Sequence, residues 1–145
     1  MKKYLLLFVF MIFGFLPLTV NAQCKEFTEN EALPLLGDFI LSGRYNAVKL
    51  YEGEEILVFK TLSKGITYRF IVKGSSDLPK NIEFEVRDWN GNPIFLNKDK
   101  NYTSVWDYNC DKTQRIKVFV KVPVVSKSKE PQSGCITLVT GIKKI

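Results

Sequence analysis

The chain has 145 residues, 25% charged and 46% hydrophobic, with 21 basic residues against 15 acidic ones and no histidine. This length suits one domain around one core, and the lack of histidine removes the commonest general base and metal ligand, and with it the usual serine, cysteine and zinc arrangements. The net charge of +6 is scattered rather than gathered into a basic stripe, which excludes nucleic acid as the expected partner.

The chain opens MKKYLLLFVFMIFGFLPLTVNAQ: two lysines, an apolar run over 4–16, then Val20, Asn21 and Ala22. That order predicts a secretory signal peptide over residues 1–22, cleaved after Ala22. The apolar run is short for a membrane anchor, and Gln23 is a poor neighbour for an acylated Cys24. Cleavage would remove Lys2 and Lys3, leaving a single domain of residues 23–145 with a net charge of +4. No further apolar run is long enough to span a bilayer. The expected location is secreted, periplasmic or cell-surface, in a bacterium.

The segment CKEFTENEALPLL (24–36) carries a capping-box spacing from Thr28 to Glu31, and Pro34 keeps any helix short. A helical cap at the edge of the core is expected. From Tyr45 onward, short runs are broken by turn residues: YNAVKLY, EILVFKTL, ITYRFIVK, NIEFEVRD, PIFLN, TSVWDYN, QRIKVFVKVP and GCITLVTGIK. Ile66, Tyr68, Phe70 and Val72 alternate with Thr67, Arg69 and Lys73, and Ile82, Phe84 and Val86 alternate with Glu83, Glu85 and Arg87. This period of two, rich in β-branched and aromatic residues, predicts strands. About eight antiparallel strands at near-regular spacing predict an all-β, jelly-roll-like sandwich.

The stretch RDWNGNPIF (87–95) has three readings: a calcium loop on Asp88, Asn90 and Asn92, a sugar platform on Trp89, or a hairpin turn. The glycine stands at the fourth position instead of the sixth and no distant glutamate follows, so calcium is disfavoured. Asn90-Gly91 between two apolar runs predicts a hairpin whose two central residues both take positive φ. Trp89, Trp106 and Tyr102 are candidate ligand-binding residues, able with Phe95 and Tyr108 to form one aromatic face for a sugar or peptide; core or rim packing is the competing account of all of them, and Trp106 and Tyr108 should share one strand face. Glu54 with Glu55, and Glu83 with Glu85, read as solvated surface, not as a pair of carboxylates facing each other across a cleft. Gly53 and Gly65 lack any phosphate-cradling spacing. The Asn101-Tyr102-Thr103 glycan-acceptor pattern is incidental in a bacterial chain. No cofactor and no metal are expected.

Three cysteines, Cys24, Cys110 and Cys135, imply one disulfide and one odd thiol in an oxidising compartment, with three possible pairings. Cys24 with Cys135 is preferred, since it would tie the mature N-terminus to the last strand; Cys110 with Cys135 is the runner-up.

Taken together, CKEF, GEE, KGITYRFIVKG, IEFEVRDWNGNPIF, VWDYN, TQRIKVFVKVP and SGCITLVTGIK resemble a group of small secreted β-sandwich proteins of Bacteroidota-type bacteria, over nearly all of the mature chain. More distantly, G-x-x-Y-x-F-x-V at 65–72 followed by F-x-V-x-D at 84–88 is similar to the prepeptidase C-terminal type of sandwich, whose domains are accessory binding modules. The first resemblance implies two further cysteines near Ala32 and Lys73, which this chain lacks, and so leaves Cys24 with Cys135 as the retained bridge. It implies no activity. The resulting expectation is an exported non-catalytic module that binds an envelope or cell-surface protein or a glycan. The alternative is an assembly component acting through a free strand edge, for which 134–145 is the candidate.

Overall fold

The computed structural model describes residues 20–125, 127 and 130–144. The expected signal peptide lies outside them, save for its last three positions, with which the first helix begins. Helix α1 (Val20–Phe27) runs into a π turn (Thr28–Ala32) and a 3₁₀ turn (Leu33–Leu36). Nine strands follow: β1 (Ile40–Leu41), β2 (Asn46–Tyr51), β3 (Glu55–Leu62), β4 (Ile66–Gly74), β5 (Glu83–Asp88), β6 (Pro93–Leu96), β7 (Val105–Cys110), β8 (Gln114–Lys121) and β9 (Ser133–Lys144).

The pairing is nested. β5 pairs with β6, β4 with β7, β3 with β8 and β2 with β9, all antiparallel. Further pairing of β9 with β4 and of β8 with β5 joins these ribbons into two sheets, ordered β2-β9-β4-β7 and β3-β8-β5-β6, with the two-residue β1 beside the far end of β9. This is jelly-roll wiring, as the turn spacing predicted. The eight expected runs are β2 to β9.

The period-two pattern sets what lies between the sheets. Tyr68, Phe70 and Val72 of β4, Phe84 and Val86 of β5, and Ile116, Val118 and Val120 of β8 all join one buried cluster. Each fully buried aliphatic or aromatic side chain contributes about 1.5–3 kcal/mol. A second cluster lies on the opposite face of the first sheet, where Ile71 and Val139 pack against Ala32, Leu36 and Phe39 of the N-terminal segment. The molecule is therefore layered as helical cap, first sheet and second sheet, and the outer face of the second sheet has no cover among the described residues.

The pairing overturns the expected free edge. β9 is paired on both sides, and Ile136, Thr137, Leu138 and Val139 are all buried. A strand covered on both faces reads as a near-continuous apolar run, and ITLV is such a run save for Thr137.

The cap is held by several distinct devices. Cys24 and Cys135 form a disulfide, with Cα atoms 5.3 Å apart. Arg69 donates to the carbonyls of Leu35 and Leu36 at 3.2 Å each, grips Asp107 through two bonds of 2.8 and 2.7 Å, and lies 4.3 Å over the Phe39 ring. Lys73 pairs with Glu31 at 2.7 Å, and Lys143 with Asp38. Gly141 admits the cap closely: a Cβ there would lie 2.5 Å from Leu36 Cδ2. The capping box is not formed. The helix begins well before Thr28, whose hydroxyl donates to the Cys24 carbonyl at 2.7 Å instead of accepting a bond at a helix start.

Candidate ligand-binding face

Strand register assembles the open face of the second sheet from three strands remote in sequence. Phe59 lies opposite Lys117, which lies opposite Arg87; the next row is Leu57, Phe119 and Glu85; the third is Glu55, Lys121 and Glu83. Leu57 and Phe59 are 44% and 52% exposed, so this face presents apolar surface to solvent. Trp89, 48% exposed, joins it from the loop after β5, its ring 6.0 Å from that of Phe59. Arg115 lies 4.2 Å and Lys117 5.1 Å from the Trp89 ring centre, and Arg87 lies 5.0 Å from that of Phe119. Arg87 is also paired with Glu85 at 2.6 Å, which holds its guanidinium pKa above the ordinary value. Arg115 and Lys117 have no carboxylate partner among the described residues. One half of the face is thus aromatic and cationic, while the other, around Glu55 and Glu83, is acidic.

The loop that presents Trp89 is a hairpin, although its turn differs from the one expected. Gly91 alone takes positive φ, at 93°, while Asn90 keeps an ordinary backbone. The reason is Asp88. Both of its carboxylate oxygens accept bonds from Asn92, one from the backbone N–H and one from the side-chain amide, at 2.8 Å each. Backbone bonds from Asp88 N–H to the Asn92 carbonyl and from Gly91 N–H to the Asp88 carbonyl complete a wider loop, with a register shift after Val86. An aspartate that binds its own turn in this way replaces a tight two-residue connection. The same bonds hold the Asp88 carboxyl below its usual pKa.

The other two aromatic candidates do not share this face. Trp106 stacks between the sheets on Phe95, with ring centres 4.6 Å apart, and on Phe70 at 5.5 Å, so core packing accounts for it. Tyr102 stands at one end of the sandwich, where it and Asn101 take the left-handed conformation, with φ of 53° and 54°. There it lines a cleft of about 290 Å³ with Ser75, Ser76, Lys80 and Ser104. Buried Asn97 sets that turn: its side chain accepts from Phe84 N–H and donates to the Ile82 and Thr103 carbonyls, and its backbone carbonyl accepts from Tyr102 N–H. Glu83 and Glu85 share the outer face, with Arg87 and Lys121 beside them. Cys110 is a buried free thiol that donates to the Lys112 carbonyl, and burial raises its pKa. Among the described residues, no group of three or more acidic or cysteine side chains is placed to hold a metal, and no helix is long and apolar enough to cross a membrane.

Sequence reasoning singled out Trp89 and missed Phe59, Leu57, Arg115 and Lys117. On β3 both alternating sets contain apolar residues, Ile56 and Val58 on one side and Leu57 and Phe59 on the other, so periodicity does not say which set is buried. The one available signal was the excess itself, a strand too apolar for a face turned to water.

No family model and no curated protein matches the chain. One solved structure similar to it is that of Aeromonas hydrophila PliG, a periplasmic lysozyme inhibitor of g-type lysozyme. It shows 14% identity and a TM-score of 0.49, over 69% of this chain and 85% of that one.

Proposed function

We propose that the protein is an exported, non-catalytic module that binds a partner protein on the open face of the second sheet. The observation that carries this is the cluster of Trp89, Phe59 and Leu57 exposed beside Arg115 and Lys117 on a sheet face that the described residues leave uncovered. Aromatic anchors with arginine are the residues in which protein interfaces concentrate their binding energy. The Cys24–Cys135 bridge supports export, because such bonds persist in oxidising compartments. A glycan suits the cluster less well, since a sugar stacks on a free ring face and two cations already lie over Trp89. The cations and the apolar rings together favour a ligand surface that is acidic and apolar.

The test is a pull-down of tagged mature protein from its own envelope extract, beside a glycan array. The expected result is a stoichiometric protein that is retained by the native chain and lost from Trp89→Ala and Arg115→Gln. A glycan signal abolished by Trp89→Ala would overturn the protein reading in favour of a sugar module.

A further inference from the structure

The open face ends at a strand edge with the chemistry of an acceptor. β3 pairs with β8 along its whole length, and with no other strand among the described residues. Val122 N–H donates to the Glu54 carbonyl at 2.9 Å. Antiparallel ladders alternate, so the even-numbered residues of β3 turn their backbone groups toward β8, and Leu57, Phe59 and Thr61 turn theirs to the free side. The other edges are protected in familiar ways. β6 is four residues long and begins at Pro93, β7 turns out Asp107 and Asn109, and β2 turns out Lys49.

The corner beside β3 also has room. A recess of about 410 Å³ separates Ile56 and Val58 from residues 45–48, and these two core-facing side chains are only partly buried there. The next inward residue is Lys60, whose partly buried ammonium has no carboxylate partner among the described residues. An inward lysine on an edge strand repels indiscriminate pairing, and it selects for a strand that brings a negative charge.

We propose that β3 accepts an extended segment of the partner protein as an added strand of the second sheet, with apolar side chains entering the recess and an acidic one reaching Lys60. This rests on the reading of the open face as protein-binding and specifies the form in which that partner docks. A second copy of the chain fits poorly. Residues opposed across an antiparallel pair share a face, whereas Glu55 faces outward and Lys60 inward, so no twofold pairing of β3 with itself sets one against the other.

The experiment is selection from a displayed library of decapeptides, apolar at alternate positions and randomised between, on the folded mature protein. Enrichment of an acidic residue at one position is expected. The selected peptide should slow hydrogen exchange at the amides of Leu57, Phe59 and Thr61, and should bind Lys60→Gln at least ten-fold more weakly. Thr61→Pro, which removes one free-edge donor, should weaken it as well. No enrichment, or enriched peptides that leave those three amides exchanging as before, would overturn the proposal. If an envelope partner is still lost with Trp89→Ala while those amides stay unprotected, the strand mode fails and the binding face stands. A dimer that the peptide dissociates would overturn the choice of occupant in favour of a second copy.

Discussion

Arg69→Met is expected to loosen the helical cap selectively, and its cost can be worked from the contacts. The substitution keeps the aliphatic stem and removes the fork. Two carbonyls at the end of the 3₁₀ turn, of Leu35 and Leu36, lose a charged donor at 3.2 Å, and the Phe39 ring loses a cation at 4.3 Å. Hydrogen bonds to charged groups contribute about 1.5–3 kcal/mol each. The Arg69 side chain is 22% exposed and the bonds are long, so the lower end applies. The cation over the ring adds about 0.5–1 kcal/mol. Asp107, 42% exposed, hydrates once released and adds little. The expected loss is about 3.5–4 kcal/mol, a fall in Tm on the order of 10 °C. Denaturant unfolding gives the magnitude, and hydrogen exchange at the Phe39 amide, which donates to the Leu36 carbonyl, gives the location. Asp107→Asn is the control and should cost less than half as much. A loss below 0.5 kcal/mol, or an Asp107→Asn variant as damaged as Arg69→Met, would refute the clamp.

Three further outcomes follow from the same packing. Gly141→Ala should cost about 1–3 kcal/mol through overpacking, because the new methyl meets Leu36 and the Phe39 Cβ at 2.5 and 2.9 Å; unfolding curves measure it, and wild-type stability would exclude so close an approach. Reducing the Cys24–Cys135 bridge, which spans 111 residues, should cost up to about 4.7 kcal/mol in chain entropy, while a thiol reagent should find Cys110 unreactive until the fold is opened. Asp88 should titrate below the unfolded value of about 3.9 in a carboxyl NMR titration. Because its folded pKa is depressed, its contribution is complete above that value and is lost as pH falls through the folded pKa; Asp88→Asn should flatten that acid limb, and an unchanged limb would show that the Asn92 bonds do not hold the loop.

Much of this architecture was legible where one face of a strand meets water. Ile82, Phe84 and Val86 against Glu83, Glu85 and Arg87 is an alternation that the structure reproduces residue by residue, and β4 keeps its own except at Ile71, buried under the cap on the face where Arg69 turned out to be the clamp. Legibility failed where a face met another layer. The free edge expected at β9 fails because sequence alone does not reveal that β2 and β4 pair with it on both sides, although its ITLV run, apolar save for Thr137, carried the sign of two covered faces. The capping box failed for a related reason: spacing identifies a helix start only if the helix does start there. The proposed binding face was the least legible feature, since its members come from residues 57–59, 87–89 and 115–119, which only the register of β3 on β8 and of β8 on β5 brings together.

The two sides of the molecule divide stability from the proposed recognition. The disulfide, the Arg69 clamp, the Lys73–Glu31 pair and the Gly141 contact all act on the first sheet and its cap. Among the described residues, the open face of the second sheet has cations resting on rings, the Phe59–Trp89 ring contact and the Arg87–Glu85 pair, interactions that contribute little where water reaches them. Leu57 and Phe59 point away from the core, so their exposure brings no folding benefit and carries an aggregation hazard. An inward lysine in the middle of the same strand limits that hazard at the expense of core packing. Apolar surface kept in water together with a guard against the wrong partner is what a strand retained for a specific partner requires, and neither feature is accounted for by the stability of the sandwich.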